Sequence, residues 1–199
     1  MIELYAITDD PTPPQPPLLA VRCDGLTALC APAEPRQGEP TPDALWNHEQ
    51  VVEGLMEGRD LLPVRFGTLV SDEDAAARAV MDRREELVAT LDRVRGAVEL
   101  AVRAHPRETD EAPVATTGID YMRAKTRHME AARLLHEPLA SIARESRVRP
   151  GPELLRAAYL VDRDAVDRFV AMVRQLEEGH AELDLVCTGP WPPYSFAEQ

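Results

Sequence analysis

The sequence predicts an α+β protein of two small domains, each a modified ferredoxin-like mixed or antiparallel sheet with packed helices, followed by a Pro/aromatic C-terminal tail. Three observations predict it. Short alternating or apolar runs recur along the 199 residues, beginning with Ile2-Glu3-Leu4-Tyr5-Ala6-Ile7, and have the length and composition of strands. Longer stretches with apolar residues three and four apart lie between them and read as helices. No GxGxxG or P-loop string follows any strand, so a nucleotide-binding α/β sheet has no support.

The first domain is expected over residues 1–96. After the opening strand, residues 9–17 are dense in proline and read as an irregular loop. Residues 18–22 and 26–31 form a hairpin turning at Cys23-Asp24-Gly25, because Asp-Gly tolerates the positive φ of a tight turn. A second proline-rich connection, 32–42, leads to a helix with Thr41 as N-cap and Pro42 at its first position. Leu45, His48, Val52 and Leu55 or Met56 fall on one face of it, and Gly58 stops it. Residues 61–66 read as a short strand that Pro63 confines to an edge or a bulge. Ser71, with Asp74 three residues on, is the expected cap of a helix over 72–95. Its stripe is Ala76, Val80, Leu87, Leu91 and Val94, and Gly96 ends it.

The second domain is expected over 97–187. A strand at 98–103 precedes a polar loop at 105–118. A helix over 119–147 then carries Met122, Met129, Ala132, Leu135, Leu139 and Ile142 as its buried stripe, with Pro138 as a kink point. A strand at 155–161, a helix at 164–178 and a strand at 183–187 follow. The two halves read β-β-β-α-β-α and β-α-β-α-β, an α+β layout of ferredoxin-like type. Residues 188–199 form the tail. Pro190, Pro192 and Pro193 fix φ and remove donors, which predicts that the sheet stops and the chain runs on in an extended polyproline-like path. Trp191, Tyr194 and Phe196 make the tail a docking peptide or a clasp packed back on the body. The clasp is preferred, since aromatic side chains bury large areas and these lie close to the last strand.

Composition narrows the function. A net charge of −13 argues against a nucleic-acid backbone or an anionic membrane as main partner. Three cysteines, Cys23, Cys30 and Cys187, form no CxxC, and with no secretory leader they predict a cytoplasmic protein. No apolar run reaches the length of a membrane span.

Catalytic, cofactor and metal candidates are absent from the pattern. The five histidines, His48, His105, His128, His136 and His180, form no HExxH, and no GxSxG occurs. His48 lies on or beside the apolar stripe, where a hydrogen-bonded core histidine is expected. Cys23 and Cys30 read as small buried hydrophobes. Arg65, between Val64 and Phe66, has three readings: a solvent-facing charge, an ion pair with Glu49 or Glu53, or a contact to a partner. Met122 and Met129 read as ordinary core, with an adaptable binding surface as the second reading.

Two strings carry the reading beyond fold class. Trp46-Asn47-His48-Glu49-Gln50-Val51-Val52-Glu53 followed by Leu62-Pro63-Val64-Arg65-Phe66-Gly67-Thr68 resembles the central signature of the gas vesicle GvpL/GvpF family. Thr188-Gly189-Pro190-Trp191-Pro192-Pro193-Tyr194-Ser195-Phe196 resembles that family's C-terminal signature. Tyr5-Ala6-Ile7, Gly118-Ile119-Asp120-Tyr121-Met122 and Ala158-Tyr159-Leu160-Val161 fit the same pattern in order, so the similarity spans essentially the whole chain.

The resemblance implies two modified ferredoxin-like domains plus a tail. It also implies a non-enzymatic accessory protein that contacts the small hydrophobic shell protein GvpA and other accessory proteins, associated with gas vesicles in the cytoplasm. A minor structural component of the vesicle is the second reading, and a small-molecule enzyme on a ferredoxin-like scaffold the third. Partner-binding residues are expected at Trp46, Glu49, Arg65 and Phe66, and the tail clasp at Trp191, Tyr194 and Phe196.

Overall fold

A computed structural model of the chain describes residues 1–34, 40–107 and 118–197. In chain order its elements are β1 (Ile2–Thr8), β2 (Leu19–Cys23), β3 (Leu26–Pro32), α1 (Pro42–Met56), β4 (Leu62–Pro63) and β5 (Leu69–Val70). Next come α2 (Glu73–Asp82), α3 (Arg84–Val94), β6 (Ala97–Pro106), α4 (Gly118–Ala140) and β7 (Glu145–Val148). The chain closes with β8 (Leu155–Asp162), a 3-10 turn at Arg163–Ala165, α5 (Val166–Gly179), β9 (Leu183–Trp191) and α6 (Tyr194–Ala197). The fold is α+β, in two compact units. One comprises Met1–Ala97 together with the chain from Trp191 onward, the other Val98–Pro190.

In the first unit the strands run β2-β3-β1-β4, with β5 also on β1, and every pairing is antiparallel. Asp24 and Gly25 sit at φ 42° and 84° and join Cys23 to its partner Leu26, the backbone that an Asp-Gly hairpin turn supplies. Thr41 caps α1 by accepting from the Ala44 N–H at 3.3 Å, with Pro42 leading the helix as expected. The strand expected over 61–66 is shorter: only Leu62–Pro63 pairs, at the sheet edge, and the chain returns as β5. The helix expected over 72–95 is two helices. It breaks at Arg83, whose backbone (φ −119°, ψ 17°) is non-helical. Asp72, not Ser71, caps α2: its Oδ1 accepts from the Ala75 N–H at 2.8 Å while the Ser71 hydroxyl donates to its Oδ2. Leu45, expected on the buried stripe, is 42 % exposed; His48, Val52, Leu55 and Met56 are buried.

The second unit runs β-α-β-β-α-β with strand order β7-β8-β6-β9, the ferredoxin-like arrangement. The helix expected over 119–147 hides β7. It ends at Ala140, a turn in which the Ser141 hydroxyl donates to the Pro138 carbonyl at 2.7 Å reverses the chain, and Glu145–Val148 pairs with β8. The first unit has the same strand order. In place of a helix between its first two strands it has only the proline-rich 9–18 segment, and α2 packs against β2 and β3. The second core gathers Leu135 and Leu139 of α4, Tyr159 of β8, and Phe169 and Val173 of α5.

Three further expectations change. Met122 and Met129 are 60 % and 63 % exposed, not core. Six residues separate Met129 from Leu135, about 240° around a helix, so the two methionines do not continue the Leu135–Leu139 stripe. β6 continues to Pro106, and of the loop expected at 105–118, residues 108–117 lie outside the described residues. Finally, β9 passes through Pro190 to Trp191. It is the last strand of its sheet, so a proline can sit there without removing an interior ladder bond.

Candidate functional site

The site is built on an irregularity in β1. Its pairing with β3 slips between Leu4 and Ala6, which leaves Tyr5 as a bulge residue; such a residue is re-aimed out of the regular ladder. The Tyr5 carbonyl accepts from the Val64 N–H at 2.8 Å, and the Thr68 carbonyl accepts from the Leu4 N–H at 3.0 Å. Segment 64–68 is thereby fastened to β1 at both ends. Gly67 (φ 78°) makes the turn between them and donates its N–H to Glu3 Oε1 at 3.1 Å.

His48, from the inner face of α1, fills the space under this segment. Its Nε2 donates to the Val64 carbonyl at 2.9 Å, since a carbonyl can only accept. Its ring stacks on Tyr5 with centroids 4.8 Å apart and meets the edge of Phe66 at 5.5 Å. Nδ1 faces Glu3 Oε1 at 3.4 Å, without hydrogen-bond geometry. Glu3 and His48 are both buried. A carboxyl and an imidazole so deep are tolerated because polar backbone groups meet them: the Gly67 N–H on Glu3 and the Val64 carbonyl on His48. The core histidine expected at position 48 is thus present, and it props up the segment that carries Arg65 and Phe66.

Arg65 is exposed, and its carbonyl accepts from both the N–H and the hydroxyl of Thr68. It lines a cavity of about 360 Å³ together with Ile7, Leu62, Leu87, Arg83 and Tyr194. The Tyr194 hydroxyl is buried and, among the described residues, has no hydrogen-bond partner. Burial first, then the charges of Glu49 and Glu53, push its phenol above the usual tyrosine range. Burial also raises the Glu49 carboxyl, with Glu53 adding to the shift and His48 opposing it.

The structure therefore brings Glu49 towards Tyr194, and Arg65 and Tyr194 to one cavity, while Phe66 packs on His48. Trp46 stands apart from Phe66. Two residues before His48, about 200° round the helix, it faces outward and is 63 % exposed. Of the tail, α6 packs on α3 and β4. Phe196 is completely buried, and its carbonyl accepts from Arg93 Nη2 at 2.5 Å. Trp191 is half-buried.

Sequence reasoning missed Glu3 and Tyr5. Their signal was a carboxylate inside an otherwise apolar strand, which needs either solvent or a buried partner. Cys23 and Cys30 are buried as expected, and burial pushes the Cys30 thiol up to about 11, with the Glu73 charge adding to it. Among the described residues no group of three His, Cys, Asp or Glu is placed to hold a metal ion, and no helix is long and apolar enough to cross a membrane.

The chain's likeness to known proteins is extensive. It is 35 % identical to gas vesicle protein F of Streptomyces sp. strain CB03234 over 94 % of this chain and 90 % of that protein. It is 30 % identical to gas vesicle protein L of the same organism, over 78 % of this chain and 69 % of that protein. In fold it matches the crystal structure of GvpF from Anabaena sp. PCC7120, with a TM-score of 0.86 at 19 % identity, covering 100 % of this chain and 96 % of that one. GvpF from Microcystis aeruginosa matches with a TM-score of 0.83 at the same identity, over 100 % and 99 %. The family model described as gas vesicle synthesis protein GvpL/GvpF covers residues 4–121 and 121–198. The chain belongs to the GvpL/GvpF family of gas vesicle proteins.

Proposed function

We propose that this chain is a non-enzymatic accessory protein of gas vesicle assembly, which binds the shell protein GvpA and other accessory proteins in the cytoplasm. Its docking surface is the outward face of α1, carrying Trp46 and Glu49, with Arg65 and Phe66 on the adjoining 64–68 segment. The observation that carries this is Trp46. It is a large aromatic side chain left 63 % exposed, one position after a 42 % exposed Leu45, on a helix whose inner face is pinned by His48. Contiguous exposed apolar groups mark interaction sites, and tryptophan is enriched among the residues that carry most of the binding energy. Trp191, Tyr194 and Phe196 serve in this reading as a clasp that completes the first unit.

The test is co-purification of tagged wild-type chain and the Trp46→Ala variant with soluble, verified shell protein. Capture by the wild type and loss in the variant are expected; equal capture by both, or by neither, overturns the assignment. Quantifying the chain in washed intact vesicles against lysate separates the assembly role from that of a retained component, and strong depletion from the vesicles is expected.

A further inference from the structure

Helix α1 leaves one strip uncovered. Leu45 and Trp46 are exposed in its first turns, and Glu49, Gln50 and Glu53 follow them at three- and four-residue spacings, which places all five side by side. The strip's charge has a single sign: the helix carries Asp43, Glu49 and Glu53 and no lysine or arginine. Glu53 accepts from the Gln50 amide at 3.0 Å, and the charges acting on Glu49 are those of His48 and Glu53. Two carboxylates one turn apart repel each other unless a cation lies between them. Here the partly buried Glu49 is held up by burial, with His48 opposing and Glu53 adding to the shift, and among the described residues the Tyr194 hydroxyl has no hydrogen-bond partner. An apolar strip with an acidic margin complements a surface that is apolar and positive.

We propose that this strip seats a basic amphipathic helix of a protein partner, with an arginine or lysine head at Glu49 and Glu53 and apolar side chains over Leu45 and Trp46. The inference rests on the reading of α1 as the docking surface and adds the chemistry of what docks. The indole face of Trp46 favours a cation and its aliphatic stem alike. Helix α1 has 15 residues, roughly 22 Å of length, enough to align three or four turns of a partner helix.

The experiment is isothermal titration of the full chain with an amphipathic helical peptide about five turns long, bearing arginines on its polar face, and with the same peptide carrying glutamine instead. The arginine peptide is expected to bind and the glutamine peptide to bind much more weakly. The double variant E49Q/E53Q should weaken binding of the arginine peptide about tenfold, and W46A should weaken it comparably. D164N/D167N, an equal loss of charge at the start of α5, should change nothing. Equal weakening by both double variants would mean general attraction to an acidic chain and would overturn the inference, as would unchanged binding in E49Q/E53Q or equal binding of the two peptides. Melting curves of each variant confirm that it is folded. Shell-protein capture that needs Trp46 but tolerates E49Q/E53Q sinks this inference and leaves the docking reading standing. Strip-dependent binding of the arginine peptide without shell capture supports the inference and sinks the reading.

Discussion

Phe196→Ala measures how firmly the C-terminal residues are built into the first unit. The ring is fully buried, in the short helix that packs on α3 and β4. Removing a buried phenylalanine ring costs about 3–5 kcal/mol, from lost transfer energy and the cavity left behind. The Arg93 bond goes to the Phe196 carbonyl and survives the substitution. For a chain of this size each kcal/mol lowers the melting temperature by about 2–4 °C, which predicts a fall of roughly 6–20 °C. Trp46→Ala is the control: an exposed side chain away from caps and networks changes stability by no more than about 0.5 kcal/mol. Circular dichroism melts of the two variants and wild type, with chemical denaturation alongside, provide the assay. A Phe196→Ala shift under about 2 °C, or one no larger than that of Trp46→Ala, would refute the clasp.

Two other perturbations test the polar interior. Glu49 has its carboxyl pKa raised, chiefly by burial; the folded state holds that proton more tightly than the unfolded chain. Its contribution therefore favours folding at low pH and is lost as pH rises through the folded pKa. Glu49→Gln should melt higher than wild type at pH 7, with the advantage vanishing below the ordinary glutamate value of 4.5; an advantage that persists there would contradict the assignment to burial. In the second unit the Tyr159 hydroxyl shares a hydrogen bond with His136 Nδ1 at 2.9 Å. Tyr159→Phe should cost about 1 kcal/mol by urea denaturation, and a neutral result would mean that water or a shifted ring replaces the bond.

Local chemistry made much of the architecture legible in the sequence. The Asp24-Gly25 turn, the Thr41-Pro42 helix start and the edge placement of Pro63 each follow from the φ or hydrogen-bonding limits of those residues. What failed was set by tertiary context. Strand β7 has four residues of mixed polarity following a helix with no glycine between them, so only its pairing with β8 defines it. The break at Arg83 has no proline or glycine to announce it. Met122, Met129 and Leu45 satisfy a helical spacing locally, but exposure depends on which face a neighbouring sheet covers. At the candidate site, Trp46, Glu49, Arg65 and Phe66 were visible as a pattern, whereas Glu3 and Tyr5 were not. They reach His48 through a bulge and a segment more than fifty residues away in sequence, and no period within one strand encodes such a meeting.

The first unit is discontinuous along the chain, closed by residues that follow the entire second unit. Ribosomes add about 5–20 residues per second, so making residues 98–190 takes on the order of 5–20 seconds. Throughout that interval the surface of α3 and β4 that Phe196 covers stays bare. The half of the protein made first is therefore the half finished last. Any fragment cut near residue 97 keeps its nascent, uncapped form permanently, with an apolar scar open to chaperones, to its own kind, or to whatever else is apolar nearby.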